Sequence, residues 1–222
     1  MTTNFYWHFL FNKKAFNNVF IQYIIENRSF YISDFLKQIM VIAGLREVKK
    51  TKLKNVLLFK PLIFEDFRGE YVETFNKKKY TQQIFEKTGE KVEFLTDDFS
   101  ISSQNVLRGI HGDNKTWKLI SCGFGKIYAV IVNCNDRNED FGKWQAFDLS
   151  EKNRHQILIP PMHGTSHLVL TDRAMFQYKQ SEYYDPENLK QFTYRYDDPR
   201  FKIWWPIKNP ILSERDEERL IL

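Results

Sequence analysis

From Val92 to Gln180 the chain is a succession of short aromatic and β-branched segments separated by compact polar turns. The segments fall at 92–99, 105–110, 117–123, 126–133, 142–149, 156–159, 166–171 and 174–180. Turn signals lie between them at Asn114-Lys115, 123–125, 135–142 and 160–164. Many short strands with regular turn signals predict an all-β sandwich or barrel. Upstream, residues 55–64 read as a strand edged or broken at Pro61, because proline cannot donate to a ladder. Residues 65–69 read as a turn, and 70–75 alternate again. Residues 76–89 carry the helical pattern of the main domain. Tyr80, Ile84 and Phe85 have helical spacing, and Gly89 is placed to end the helix.

At 222 residues the chain predicts one domain with an appendage. Residues 1–39 differ from the rest: an aromatic cluster at 5–11, then helical patterning over 15–42 with a cap at Ser33-Asp34. The cluster has no cationic residue before it and no small-residue cleavage site, so it makes a poor signal peptide. Residues 1–39 therefore read as an N-terminal extension, dispensable or preceding a natural initiator at Met40, and 40–222 as the domain. The net charge of +5 suits an anionic small molecule as well as nucleic acid, but neither a basic helix nor zinc-finger spacing points to nucleic acid. Cys122 and Cys134 sit in apolar, strand-like surroundings and read as reduced structural thiols of a cytoplasmic protein. No apolar run approaches the length of a membrane span.

The chemistry-bearing stretch is Asn105-Val-Leu-Arg-Gly-Ile-His111, followed by Trp117-Lys118. On a regular strand Arg108 and His111 would point to opposite faces. A bend or bulge at Gly109 would return them to one side. Arg108, His111 and Lys118 could then converge on one cavity, with a histidine as proton carrier and cations to attract an anion. The competing reading is a core histidine beside two surface cations. Tyr178 alone reads equally as a wall tyrosine, Lys118 as solvated, Asp216 as part of an acidic tail, and Arg68 and Arg108 as structural ion pairs. Trp204-Trp205 reads as core, and Gly123-Phe-Gly125-Lys126 as a hairpin turn. His111, Asp113 and His167 offer donors to a metal, but without the His-x-His pair or a helix face to group them.

Further motifs fall in a fixed order. They are Arg108-Gly-Ile-His111, Lys118, Phe141-Gly-Lys-Trp144, Asp148-Leu-Ser150, Ile159-Pro160, Tyr178-Lys179, Tyr183-Tyr184-Asp-Pro186, Trp205-Pro206 and Leu212-Ser-Glu-Arg-Asp216. Across roughly residues 55–216 the chain resembles the dTDP-4-dehydrorhamnose 3,5-epimerase family of cupin-fold sugar-nucleotide epimerases. Arg-Gly-Ile-His-Gly-Asp followed shortly by Thr-Trp-Lys looks more like the branch acting on GDP-linked 4-keto heptoses in capsule synthesis. The resemblance implies a double-stranded β-helix (jelly-roll, cupin-like) domain with a few short helices, acting as a homodimer. It implies inversion of C3 and/or C5 of a dTDP- or GDP-linked 4-keto sugar, with no cofactor and no metal. By the same resemblance His111 is the general base and Asp216 its partner. Lys118 lies near the keto oxygen, and Tyr178 is the acid on the opposite face. Arg68 and Arg108 contact the phosphates, and Glu73 contacts the base or sugar. Two departures touch the sugar pocket. Thr165, flanked by His163 and His167, stands where the rhamnose enzymes carry a second histidine. Gly112-Asp113 stands where they carry an aromatic residue or glutamine. Rival functions are a nucleotide-sugar-binding cupin without turnover and a 3,4-ketoisomerase. The first needs no opposed acid and base. The second generally shows a histidine two residues after the first, where this chain has Asp113.

Overall fold

Proline at position 61 and the turn at 67–68 cut the N-terminal part of the domain into short pieces. In the computed structural model, which describes residues 44–185, 187 and 190–217, these are β1 (Leu45–Lys50), β2 (Leu57–Pro61), β3 (Ile63–Asp66) and β4 (Gly69–Val72). Helix α1 (Lys77–Thr88) follows, then β5 (Thr96–Ser103), β6 (Leu107–Gly112), β7 (Lys118–Cys122) and β8 (Lys126–Asn133). The chain continues through β9 (Trp144–Ser150), β10 (Gln156–Ile159), β11 (His163–Val169), β12 (Arg173–Gln180), β13 (Phe192–Thr193) and the short helix α2 (Glu214–Glu217). The extension at 1–39, its helices and the Met40 start lie outside the described residues. Among the described residues no helix is long and apolar enough to cross a membrane.

The strands form two antiparallel sheets, in the orders β1-β2-β10-β7-β12-β5 and β13-β6-β11-β8-β9. Strand β8 shows how they stack. Its sequence Ile127-Tyr-Ala-Val-Ile-Val132 is apolar almost throughout, which marks a strand covered on both faces. Ile127, Ala129 and Ile131 pack inward with Ile120, Ile157 and Phe176 of the six-stranded sheet. Val130 and Val132 pack outward under Phe201, Tyr194 and Trp205 of the C-terminal segment. This is the all-β jelly roll expected from the segment pattern. Trp205 joins that outer layer, whereas its neighbour Trp204 stands mostly in solvent with an edge against Tyr128. The pair is thus half core, not core throughout.

Helix α1 covers the outer face of the six-stranded sheet, with Tyr80 and Ile84 against Leu57, Phe59, Leu119 and Leu158. The Asn76 side chain accepts from the Lys79 N–H, and Gly89 closes the helix at φ 81°. Both ends match the sequence reading. Lys49 and Lys50 lie on edge strand β1, where charge discourages further pairing. Hairpin β3–β4 pairs with itself and with neither sheet.

Several segments differ from the sequence reading. The hairpin turn read at Gly123-Phe-Gly125-Lys126 instead carries the chain from β7 in one sheet to β8 in the other, and β4 ends at Val72, short of the strand read over 70–75. The turn predicted at 160–164 ends earlier, because β11 already starts at His163. Gly164 is strand rather than turn: a Cβ there would lie 2.2 Å from Ile110 Cγ2. Glycine is required for a close approach of strands, a role its sequence context does not distinguish from turning. The segment read as a strand over 92–99 is also shifted, with β5 running over Thr96–Ser103. Both free cysteines are buried, as expected for structural thiols.

Candidate active site

The centre of the site is a bulge. Across the β6–β11 ladder Thr165 pairs with His111 and His167 pairs with Arg108, so two steps on β11 match three on β6. Gly109 absorbs the extra residue at φ 104°, and a Cβ there would sit 2.5 Å from the Thr165 carbonyl oxygen. Only glycine fits that combination of backbone angle and contact. Arg108 and His111 consequently line the same cavity, of about 400 Å³. The five-stranded sheet contributes Arg108, His111, Thr165 and His167 to its wall. The six-stranded sheet contributes Lys118, Phe176, Tyr178 and Gln180.

Asp216 reaches the site from the far end of the chain. Leu107 N–H donates to the Ile211 carbonyl at 2.9 Å, and Ile211 N–H to the Asn105 carbonyl at 2.8 Å. This parallel bridge lays the C-terminal segment along β6 and delivers α2 to its side. Asp216 Oδ1 lies 2.6 Å from His111 Nε2. Its other oxygen accepts from Ser213 Oγ at 3.0 Å and from the Gly109 N–H at 3.4 Å. Burial pushes this carboxyl up, but the His111 bond and charge, with the Ser213 and Gly109 donors, outweigh it and hold it below the ordinary value. The Asp216 side chain is 3% exposed and that of His111 31%, so the imidazole is the accessible end of the pair.

The remaining groups carry distinct charges. Burial lowers the Lys118 ammonium pKa; Asp113 opposes this and Arg215 adds to it. Burial raises the Tyr178 phenol, as does Asp98, with Arg108 acting the other way. Arg108 Nε donates to Ser102 Oγ at 3.1 Å, tying the two sheets together beside the cavity. Asp113 is fixed by the N–H groups of Lys115 and Thr116, at 2.9 and 2.6 Å. Among the described residues no three His, Cys, Asp or Glu side chains are grouped to hold a metal ion.

The structure thus brings together His111, Lys118, Tyr178, Asp216 and Arg108. It does not bring Arg68 or Glu73 to the cavity of the same chain. Arg68 sits at the tip of the β3–β4 hairpin, paired with Asp66 at 2.6 Å and 76% exposed. Glu73 is engaged by Lys79 at 2.8 Å. Sequence reasoning passed over Gln180, Phe176 and Arg215 as lining residues. The first two were available from alternation, since they lie two positions either side of Tyr178 on β12.

The model of the dTDP-4-dehydrorhamnose 3,5-epimerase family matches residues 50–222. The dTDP-4-dehydrorhamnose 3,5-epimerase of Shigella flexneri is 36% identical over 172 residues, covering 76% of this chain and 92% of that protein. Its Escherichia coli K12 namesake is 36% identical over 176 residues, covering 78% and 92%. Among solved structures, the dTDP-6-deoxy-D-glucose-3,5-epimerase of Legionella pneumophila, in complex with dTDP-4-keto-L-rhamnose, superposes with a TM-score of 0.70. It is 32% identical and covers 77% of this chain and 89% of its own. Fold, order of motifs and sequence agree: the chain belongs to the dTDP-4-dehydrorhamnose 3,5-epimerase family.

Proposed function

We propose that the chain is an epimerase inverting C3, or C3 and C5, of a nucleotide-linked 4-keto sugar. The observation that carries this reading is the His111–Asp216 pair on one wall of a cavity whose other wall holds Tyr178 and Lys118. A ketone at C4 acidifies the protons on C3 and C5. The His111 ring nitrogen not held by Asp216 takes one of them. Asp216 stays ionised, fixes the ring and stabilises the imidazolium that forms. The electron pair moves onto the C4 oxygen, where the half-buried Lys118 ammonium meets it. Such preorganised charge acts where water is excluded and needs no reorganisation during the step. Tyr178, kept protonated by burial, returns a proton from the side of the six-stranded sheet. Removal on one face and return on the other inverts the carbon. The ketone is its own electron sink, so the reading calls for no cofactor.

The names of the relatives, and the dTDP-4-keto-L-rhamnose in the Legionella structure, support a dTDP-linked deoxyhexose as substrate. A GDP-linked 4-keto heptose of capsule synthesis is the second reading, favoured by Thr165 and Asp113 in the cavity wall. The reading includes a homodimer. Hairpin β3–β4 exposes Phe64, Phe67 and Tyr71, an apolar surface that a second copy would cover, and Arg68 at its tip would then serve the partner's cavity. Buried reduced thiols and a nucleotide-sugar substrate fit the cytoplasm.

Incubation in D2O with dTDP- and GDP-linked 4-keto sugars tests the reading. Wild type should exchange deuterium at the carbons it inverts. His111→Asn should abolish both uptake and inversion. Tyr178→Phe should keep uptake while inverted product falls roughly 10²- to 10⁴-fold. Unchanged inversion in the Phe variant would remove Tyr178 from its role.

A further inference from the structure

Two residues of the cavity wall each hold a polar atom that no described residue of the chain satisfies. Thr165 Oγ1 and His167 Nε2 are both buried and, among the described residues, without a hydrogen-bond partner. Their residues are only 8% and 4% exposed. They lie two positions apart on β11, on the strand face that lines the cavity. The intervening Ser166 is satisfied, its hydroxyl donating to the Arg108 carbonyl at 2.7 Å. His163 Nε2, at the start of the same strand, is also buried without a partner among the described residues, but His163 does not line the cavity, whereas Thr165 and His167 do. Buried polar groups are nearly always paired, and an unpaired one calls for a partner the chain does not supply.

We infer that Thr165 Oγ1 and His167 Nε2 form a subsite for one hydroxyl of the substrate's sugar ring, and so set specificity for a sugar that carries it. This rests on the epimerase reading and deepens it. The subsite adjoins the proposed chemistry, because Thr165 pairs with His111 and His167 pairs with Arg108 across the ladder. A ring seated between His111 and Tyr178 would present its near face to β11. The complementarity is chemical. A sugar hydroxyl is both donor and acceptor, and so is threonine. A neutral imidazole nitrogen is one or the other according to tautomer. His167 is held neutral, its pKa pushed down to about 3 by burial and by Arg108 and His111, against a smaller opposing effect of Asp216. It therefore adds no positive charge beside Arg108. Its ring is held flat on Phe176, with centroids 4.1 Å apart and planes 10° from parallel, so Nε2 keeps a fixed place. A χ1 step between staggered wells lets Thr165 turn its hydroxyl toward a ligand without moving the strand.

The test compares the parent 4-keto sugar, as whichever of the dTDP-hexose and GDP-heptose conjugates wild type exchanges, with its 2-deoxy and 3-deoxy analogues. Each is assayed by deuterium uptake on wild type, Thr165→Val and His167→Phe. Thr165→Val keeps the shape without the hydroxyl, and His167→Phe keeps the stack without the nitrogen. Wild type should prefer the parent over one analogue by at least about tenfold in kcat/KM; sites built for a substrate hydroxyl reach roughly 10⁴- to 10⁵-fold. Each variant should lose parent activity by a similar factor and leave that analogue's activity unchanged, so that the preference disappears. Thr165→Ser, which retains the hydroxyl, should retain the preference and serves if His167→Phe does not fold. Equal losses on parent and both analogues would mean that the atoms hold only a structural water, and would overturn the subsite. Wild type that ignores both deletions would overturn it as well. Wild type that exchanges neither dTDP- nor GDP-linked 4-keto sugars would instead overturn the epimerase reading, a result distinct from either.

Discussion

His167 lies flat on Phe176, a buried titratable ring within the electrostatic reach of Arg108 and His111. Asp216 is the opposing charge that faces it. The folded-state pKa is about 3, against 6.5 for the free side chain. As pH falls through 6.5 the unfolded chain takes up a proton that the folded chain refuses. Stability from this group is therefore complete above that value and declines toward pH 3, at up to about 1.4 kcal/mol per pH unit. Urea melts of wild type and His167→Phe across pH 4–8 check this. The wild-type curve should fall more steeply with acid than the variant's, and parallel curves would contradict the burial of His167.

Asp216 gives a second prediction. Asp216→Asn keeps the size of the side chain and an acceptor for Ser213 or Gly109, but removes the charge that fixes the His111 tautomer. Turnover should drop about 10²- to 10⁴-fold, the upper figure being that of the analogous change in a serine protease triad. KM for the nucleotide sugar should move little, because Arg108 and Lys118 are untouched. Steady-state kinetics separate the two parameters. A loss confined to KM would make Asp216 a binding group.

The convergence of Arg108 and His111 was legible in the sequence, because glycine between two chemistry-bearing residues on a strand permits a bulge. The ladder register shows one there. The strands β8 and β10 and the helix over 76–89 were legible for equally local reasons: apolar runs between turns, helical spacing and a closing glycine. Asp216 was legible only through its motif, since its approach to His111 depends on the Ile211 bridge between segments 105 residues apart. Long-range pairing leaves no periodic trace. The place of Arg68 escaped for a similar reason. A hairpin that pairs with neither sheet has the same alternation as one that does, and the motif does not say whether its arginine reaches the cavity of its own chain. Gly164 misled because glycine in a turn and glycine at a close strand contact look alike in sequence.

Gly109 gives a third prediction. At φ 104° an added Cβ strains the backbone and collides with the Thr165 carbonyl. Gly109→Ala should destabilise the domain by about 1–3 kcal/mol. It should also undo the three-for-two register, turning Arg108 or His111 away from the cavity. Activity should therefore fall by more than the loss of folded protein measured in a thermal melt. Full activity per folded molecule would show that the bulge is not what aims the two side chains.

The proposed homodimer gives the last prediction, and it turns on where Arg68 acts. Its guanidinium lies outside the cavity of its own chain, on an exposed hairpin. If the hairpin serves the partner, each cavity needs His111 from one chain and Arg68 from the other. His111→Asn and Arg68→Ala homodimers should then both be impaired, the first in turnover and the second in substrate binding. Unfolding and refolding them together at equal amounts generates mixed dimers. In a mixed dimer one cavity pairs the intact His111 with the intact Arg68, and the other holds both changes. Random assembly should restore about a quarter of wild-type sites, since half the dimers are mixed and each has one good cavity. Activity measured at substrate well below KM reads this directly. If Arg68 worked within its own chain, every cavity of the mixture would carry one defect and nothing would be recovered. If Arg68→Ala alone were as active as wild type, the hairpin arginine would have no part in binding. Sedimentation of the wild-type protein supplies the independent check, because a monomer at working concentration would rule out sharing of any kind.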